Sequence, residues 1–139
     1  MSFEFCDHYK DFSQLYTDGS KMGNEVAAAV VHGNVTKTTR LPNKASIFRA
    51  ELYAISLALS LIRRSKEKNF IIFSDSMSSL EAISGFKLEI DIVQNIITLI
   101  LLTVAKQSFC GGYPVMSIFV ALGGVALQQN QLVHCPLQI

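Results

Sequence analysis

No lysine, arginine, aspartate or glutamate occurs after Lys106. The stretch from Gln107 to Ile139 is free of charge, and so sharp a change in composition marks a boundary of some kind. Before it, neither sign dominates: 12 basic and 11 acidic residues leave a net charge of +1. That balance excludes a strongly basic protein that coats nucleic acid, though not an enzyme with a local basic patch. Cysteine is scarce. Cys6, Cys110 and Cys135 lie far apart, are odd in number and form no Cys-x-x-Cys pair. A zinc site or disulfide framework is not expected, and reduced thiols in an intracellular setting, cytoplasmic or nuclear, are the simplest reading. Met1 to Lys10 carries Glu4 and Asp7 without an apolar core, so a signal peptide is not expected. His134 and Cys135 are adjacent, but two residues do not make a metal site.

What is present fits one domain with an adequate core: 139 residues, half of them apolar. Phe12 to Thr17 reads as a strand ended by the turn residues Asp18, Gly19 and Ser20. Val26 to Val31 is an apolar run between Gly23-Asn24 and Gly33-Asn34, and the second pair is a hairpin signal. Val35 to Arg40 reads as the returning strand, helped by three threonines. Phe48, Leu52, Ile55, Leu59 and Ile62 then recur at spacings of three and four, which predicts a long helix with Ser46 as N-cap. Arg63, Arg64, Lys66 and Lys68 suit the negative end of its dipole. Phe70 to Phe73 reads as a buried strand. Ser78-Ser79-Leu80-Glu81 fits the capping box of a short helix that Gly85 would stop, and Asp91 to Ala105 reads as another helix. Strand, hairpin, helix, strand and helix make a mixed α/β domain.

Three carboxylates stand out by position. Asp18 and Asp75 each follow a strand, and sites in α/β sheets gather beyond the carboxyl ends of strands. Glu51 follows Phe48 by three residues and precedes Ile55 by four, so it shares the apolar face of the long helix. A carboxylate there is costly unless paired or coordinated. Singly, each has a bland explanation: a turn aspartate, a peripheral glutamate, the start of a helix. Converged, they would repel one another without a cation, and an all-oxygen cluster suits Mg²⁺ or Mn²⁺.

Tyr16-Thr17-Asp18-Gly19-Ser20-Lys21, then Phe48-Arg49-Ala50-Glu51-Leu52-Tyr53-Ala54-Ile55, then Phe73-Ser74-Asp75-Ser76 with Ser79-Leu80 and Ala82-Ile83, resemble the signatures of type 1 ribonuclease H. The flavour is that of domains carried beside the reverse transcriptases of non-long-terminal-repeat retrotransposons. The resemblance implies a ribonuclease H-like fold, a mixed sheet with helices on its faces, and hydrolysis of the RNA strand of RNA–DNA hybrids. It implies Asp18, Glu51 and Asp75 as catalytic metal ligands for Mg²⁺ or Mn²⁺, Asp18 bridging two ions and Glu51 near the RNA ribose. Gly19, Ser20, Arg49 and Ser76 are the expected nucleic-acid contacts. Lys37, Arg40 and Lys44, close in sequence to Arg49, offer further charges for backbone phosphates. A monomer without a membrane partner is expected.

The pattern then breaks. The family continues with a strand, a Trp-Val-Pro-Ser-His-Val-like segment, Gly-Asn-Glu and a closing Ala-Asp. Its His helps product release and its last Asp is the fourth metal ligand. Here Ser108-Phe109-Cys110 reads as the strand, and Gly111-Gly112-Tyr113-Pro114-Val115-Met116 follows instead. Gly124-Val125-Ala126-Leu127 echoes the closing stretch, but Leu127 stands where an acid is needed. The expected organisation is a domain over 1–110, incomplete, and an atypical apolar tail over 111–139. Rival expectations are a catalytically impaired remnant that at most binds hybrids, and a membrane-associated protein. Phe109 to Leu127 is long and uncharged enough to count as a span, against which stand its glycines, Pro114 and the missing basic flank. A frameshift near Cys110, in a decayed element or an erroneous gene model, is the expected cause, with codons chosen to fit it. Encoded as GGT-GGG-TAC-CCA-GTC-ATG-TCN, Gly111 to Ser117 yield Trp-Val-Pro-Ser-His-Val when read from the third base. DNA sequencing across these codons is expected to show bases compatible with that reading, and incompatible codons would sink the idea.

Overall fold

The computed structural model describes residues 13–65, 69–109, 115–122 and 125–128, with side chains over 13–65 and 70–103. Strands β1 (Ser13–Met22), β2 (Glu25–His32) and β3 (Val35–Leu41) form an antiparallel meander. Its two turns are Gly23-Asn24 and Gly33-Asn34, with φ of 59° and 61° at the glycines. Neither asparagine has a positive φ, so both loops have the glycine-first arrangement of type II′ turns, whose twist suits a hairpin. The β1 edge away from β2 pairs in parallel with β4 (Asn69–Ser74). On the far side of β4 come β5 (Val115–Leu122), parallel to it, and β6 (Val125–Gln128), antiparallel to β5. The described strands thus form one mixed sheet ordered β3-β2-β1-β4-β5-β6.

Helix α1 (Ile47–Arg64) crosses between β3 and β4 and lies on one face of the sheet. Ser46 caps it as expected, its Oγ accepting the Arg49 N–H at 3.1 Å. Leu52, Ile55, Leu59 and Ile62 are fully buried on its inner side, while Phe48 is only partly so. They share one core with Leu15, Val26, Ala28 and Val30 of the meander and with Phe70 and Ile72 of β4. Helix α2 (Met77–Ser84) follows β4, and α3 (Asp91–Phe109) packs against α1, adding Ile92, Val93, Ile96 and Ile100 to that core.

Four expectations change. Asp18-Gly19-Ser20 is not a turn. β1 runs through it to Met22, because β2 supplies partners to the end: Asp18 faces Ala29, Gly19 faces Ala28 and Ser20 faces Ala27. The N-cap of α2 is Ser76 rather than Ser78, with its Oγ accepting the Ser79 N–H at 3.3 Å. Gly85 does end α2 as C-cap, but Phe86 takes the left-handed conformation, with φ 50°. The Lys87 N–H reaches the Ala82 carbonyl at 3.0 Å and the Phe86 N–H that of Ile83 at 3.1 Å, which closes the helix in a Schellman motif. Ser108 and Phe109 belong to α3, since no glycine or proline interrupts it before Gly111. Cys110 lies outside the described residues, as do Phe12, Lys66 and Lys68. Strands β5 and β6 fall within 111–139, the stretch set apart by composition, and their pairing continues the sheet. Among the described residues no helix is long and apolar enough to cross a membrane.

Gly19 has a physical reason that a turn would not supply. A Cβ added there would stand 2.6 Å from the Glu51 nitrogen and 2.8 Å from the Ala50 carbonyl carbon. Backbone cannot yield as a flexible side chain can. Gly19→Ala is therefore expected to destabilise the domain by about 1–3 kcal/mol, the usual cost of overpacking, as measured by urea unfolding.

Candidate metal centre

Parallel pairing sets two of the three carboxylates side by side. Tyr16 of β1 is level with Phe73 of β4. Two residues further along each chain stand Asp18 and Asp75. The Thr17 hydroxyl donates to the Phe73 carbonyl at 2.8 Å and stitches the two chains just below the acids. Both aspartates are exposed and border a cleft of about 230 Å³ that Tyr16, Thr17, Phe73 and Ser74 complete. Its aromatic wall is a stacked pair, the Tyr16 and Phe73 rings lying 4.9 Å apart at 12°. The turn that carries Asp75 is held by serines. The Ser74 Oγ accepts the Ser76 N–H at 3.1 Å, and the Ser76 and Ser79 hydroxyls are 2.7 Å apart.

The third carboxylate arrives from α1. Glu51 is 8 % exposed, on the helix face that its spacing predicts. One oxygen from each of Asp18, Glu51 and Asp75 lies within 4.8 Å of the others. The convergence expected from sequence is thus present. Gly19 and Ser20 continue β1 past Asp18, with Ser20 exposed. Arg49 is turned to Asp91 by two hydrogen bonds of 2.9 and 3.0 Å, and Arg40 pairs with Glu25 at 3.5 Å across the hairpin. Lys44 is exposed and Lys37 half-buried. Sequence reasoning missed Thr17 as a stitch, Ser74 as an acceptor and Asp91 as a partner. None has a local signal, because each partnership joins separate elements or rests on a turn geometry that four nearby serines leave ambiguous.

A family model described as RNase H matches residues 11–97. The chain belongs to the RNase H family. Among solved structures, it is similar to LC11-RNase H1, isolated from compost by a metagenomic approach. That likeness has a TM-score of 0.57 at 17 % identity and covers 68 % of this chain and 79 % of the other. A search of curated proteins finds no match. The structural likeness bears on the fold: a mixed sheet with helices, as the motifs imply.

In this RNase H domain the cluster shifts the protonation of Glu51 and Asp18. Burial first, then the neighbouring Asp75, pushes the Glu51 carboxyl up to about 7, while a hydrogen bond from the Gly19 N–H pulls the other way. Burial, then Asp75, also raises Asp18 above the ordinary carboxylate range, again opposed by the Gly19 N–H. The Oε2 of Glu51 is buried and, among the described residues, has no hydrogen-bond partner. A buried carboxylate oxygen without a donor is costly, and a hard cation among three oxygen donors removes both that cost and the mutual repulsion. The residues present therefore fit a divalent ion such as Mg²⁺ or Mn²⁺.

The sign of the pH dependence follows. Glu51 holds its proton more tightly folded than unfolded, so its stabilising contribution is complete below the ordinary glutamate range and is lost as pH rises through about 7. In chelator, the thermal midpoint is expected to fall across that window, and Glu51→Gln should remove this part of the slope. A slope unchanged by the substitution would assign it to another group.

Proposed function

We infer that this RNase H domain hydrolyses the RNA strand of RNA–DNA hybrids with Mg²⁺ or Mn²⁺ held by Asp18, Glu51 and Asp75. The supporting observation is the meeting of three carboxylates within 4.8 Å, one of them buried with an unpartnered oxygen. When bound, such ions polarise a phosphodiester and activate water. The chain's own residues supply the rest. Asp18 and Asp75 present oxygens at the open end of the β1–β4 pair, where a nucleic-acid backbone can reach them. Burial and the neighbouring acids hold the Glu51 proton more tightly than in an ordinary glutamate, so Glu51 must give it up when a cation binds and only then supplies its charge from below. The Gly19 N–H steadies Asp18 and Glu51 in their charged forms.

Gly19, Ser20 and Ser76 are the proposed contacts to the hybrid, whereas Arg49, the fourth contact expected from the motif, has its fork occupied by Asp91. Contacts to 2′-hydroxyls would separate RNA from DNA. Water is the nucleophile, and no covalent intermediate is invoked. As part of the same proposal, the domain works inside the cell, in the cytoplasm or nucleus, as a monomer beside a retrotransposon reverse transcriptase.

One observation favours a second reading. No aspartate or glutamate follows Asp91, so the family's fourth acid has no counterpart in the remaining sequence. A domain so depleted could hold hybrids without turning them over. Purified protein with Mg²⁺ or Mn²⁺ is expected to cut the RNA strand of a hybrid, and Asp18→Asn to bring cutting to background. Hybrid binding by gel shift with no cutting under either metal would favour the second reading.

A further inference from the structure

Arg49 and Asp91 meet at two points. Nη1 donates to Oδ1 at 2.9 Å and Nη2 to Oδ2 at 3.0 Å. A fork of this kind fixes direction as well as distance. Its two ends lie at the starts of two helices. Arg49 is in the first turn of α1, two residues before Glu51. Asp91 opens α3, and its Oδ1 also accepts the Ile92 N–H at 2.9 Å. Behind the pair the helices stand apart around a cleft of about 380 Å³, with Tyr53 and Ser56 on one wall and Asn95 and Thr98 on the other. At this face the fork spans a gap that side-chain packing does not fill.

The start of α1 is thus held from two directions. Toward the sheet, the backbone of Ala50 and Glu51 rests on Gly19. Toward α3, Arg49 is tied to Asp91. We propose that Arg49 and Asp91 are positioning residues that hold Glu51 at the metal centre through the first turn of α1. The proposal rests on the metal-dependent reading above.

Two other roles fit the geometry less well. As a phosphate contact, Arg49 would have to leave a carboxylate that already occupies its fork, and that carboxylate, 71 % exposed, would repel the phosphate. As a source of stability, the pair is exposed at both ends, where water screens it and ion pairs contribute little. Placing a donor is a different matter. Groups that orient metal ligands without touching the metal typically cost about 10–100-fold in metal affinity or activity when lost.

The test uses the full chain. Mn²⁺ alone is titrated calorimetrically into metal-free wild type, Arg49→Gln, Asp91→Asn and the reversed pair Arg49→Asp with Asp91→Arg. Thermal midpoints, kcat and KM on an RNA–DNA hybrid are measured alongside. Each single substitution is expected to weaken Mn²⁺ binding about tenfold and to lower kcat with it, at unchanged KM and thermal midpoint. The reversed pair is expected to recover most of the loss. Wild-type Mn²⁺ affinity in both single variants overturns the proposal. So does a rise in KM confined to Arg49→Gln, which would make Arg49 a phosphate contact. A wild type that binds no Mn²⁺ overturns this proposal together with the metal reading, whereas a wild type that binds and cuts, matched by its variants, overturns this proposal alone.

Discussion

The contact between α1 and β1 at Gly19 is the constraint on which the site depends. Two backbones meet there with no room for a Cβ. Because they meet, the first turns of α1 lie low on the strand, and Glu51 comes within reach of Asp18 and Asp75. The same approach buries the Glu51 carboxylate and leaves its Oε2 without a donor. Close packing and electrostatic discomfort therefore have one origin. A glycine chosen for a turn would tolerate substitution by any residue able to adopt the turn. A glycine pressed by a helix backbone meets a clash with any added Cβ, and its amide eases the charge of Asp18 and Glu51.

Much of this was legible in the residues. The hairpins, the capped helix and the buried strand carry local signals that agree with the tertiary structure: glycine-first turns, Ser46 ahead of a periodic stripe, an unbroken apolar Phe70 to Phe73. The placement of Glu51 was legible for the same reason, since a carboxylate inside an apolar stripe contradicts its own pattern. Asp18-Gly19-Ser20 was misread as a turn because strand ends and metal-site strands can share one composition. Only the β2 partners, Ala27 to Ala29, and the pressing helix decide between them, and neither is local. Likewise, serines at 74, 76, 78 and 79 offer several possible caps. Ser76 prevails where β4 stops and Ser74 can accept its amide.

The charge-free stretch takes another meaning once its partners are known. A long apolar run suggests a membrane when read by hydropathy alone. Here the run divides into the end of α3, then β5, then β6, and β5 stands between two other strands rather than at an edge. Strands flanked on both sides are characteristically continuous in apolar residues, whereas edge strands carry charge. Val115 to Leu122, with no charged residue, suits the interior place it occupies. The composition of β5 is therefore compatible with sheet pairing, whereas the edge strand β6 is equally free of charge and does not follow that rule.

That separation of roles bears on how the site could persist beside an altered end. The groups that build the carboxylate cluster lie between Thr17 and Asp91: the paired segments of β1 and β4, Gly19, the capped start of α1 and the serine turn. All fall within the stretch matched to the family. Changes beyond Lys106 bear on these supports through β5, which pairs with β4 as far as Ser74. What they remove is charge, because a fourth carboxylate would add both a donor and a further repulsion for the cation to relieve. Of the three acids, Glu51 is the buried one and, among the described residues, its Oε2 lacks a donor. The position of α1 then matters more than in a site with acids to spare, since the helix alone decides whether that carboxylate meets the other two.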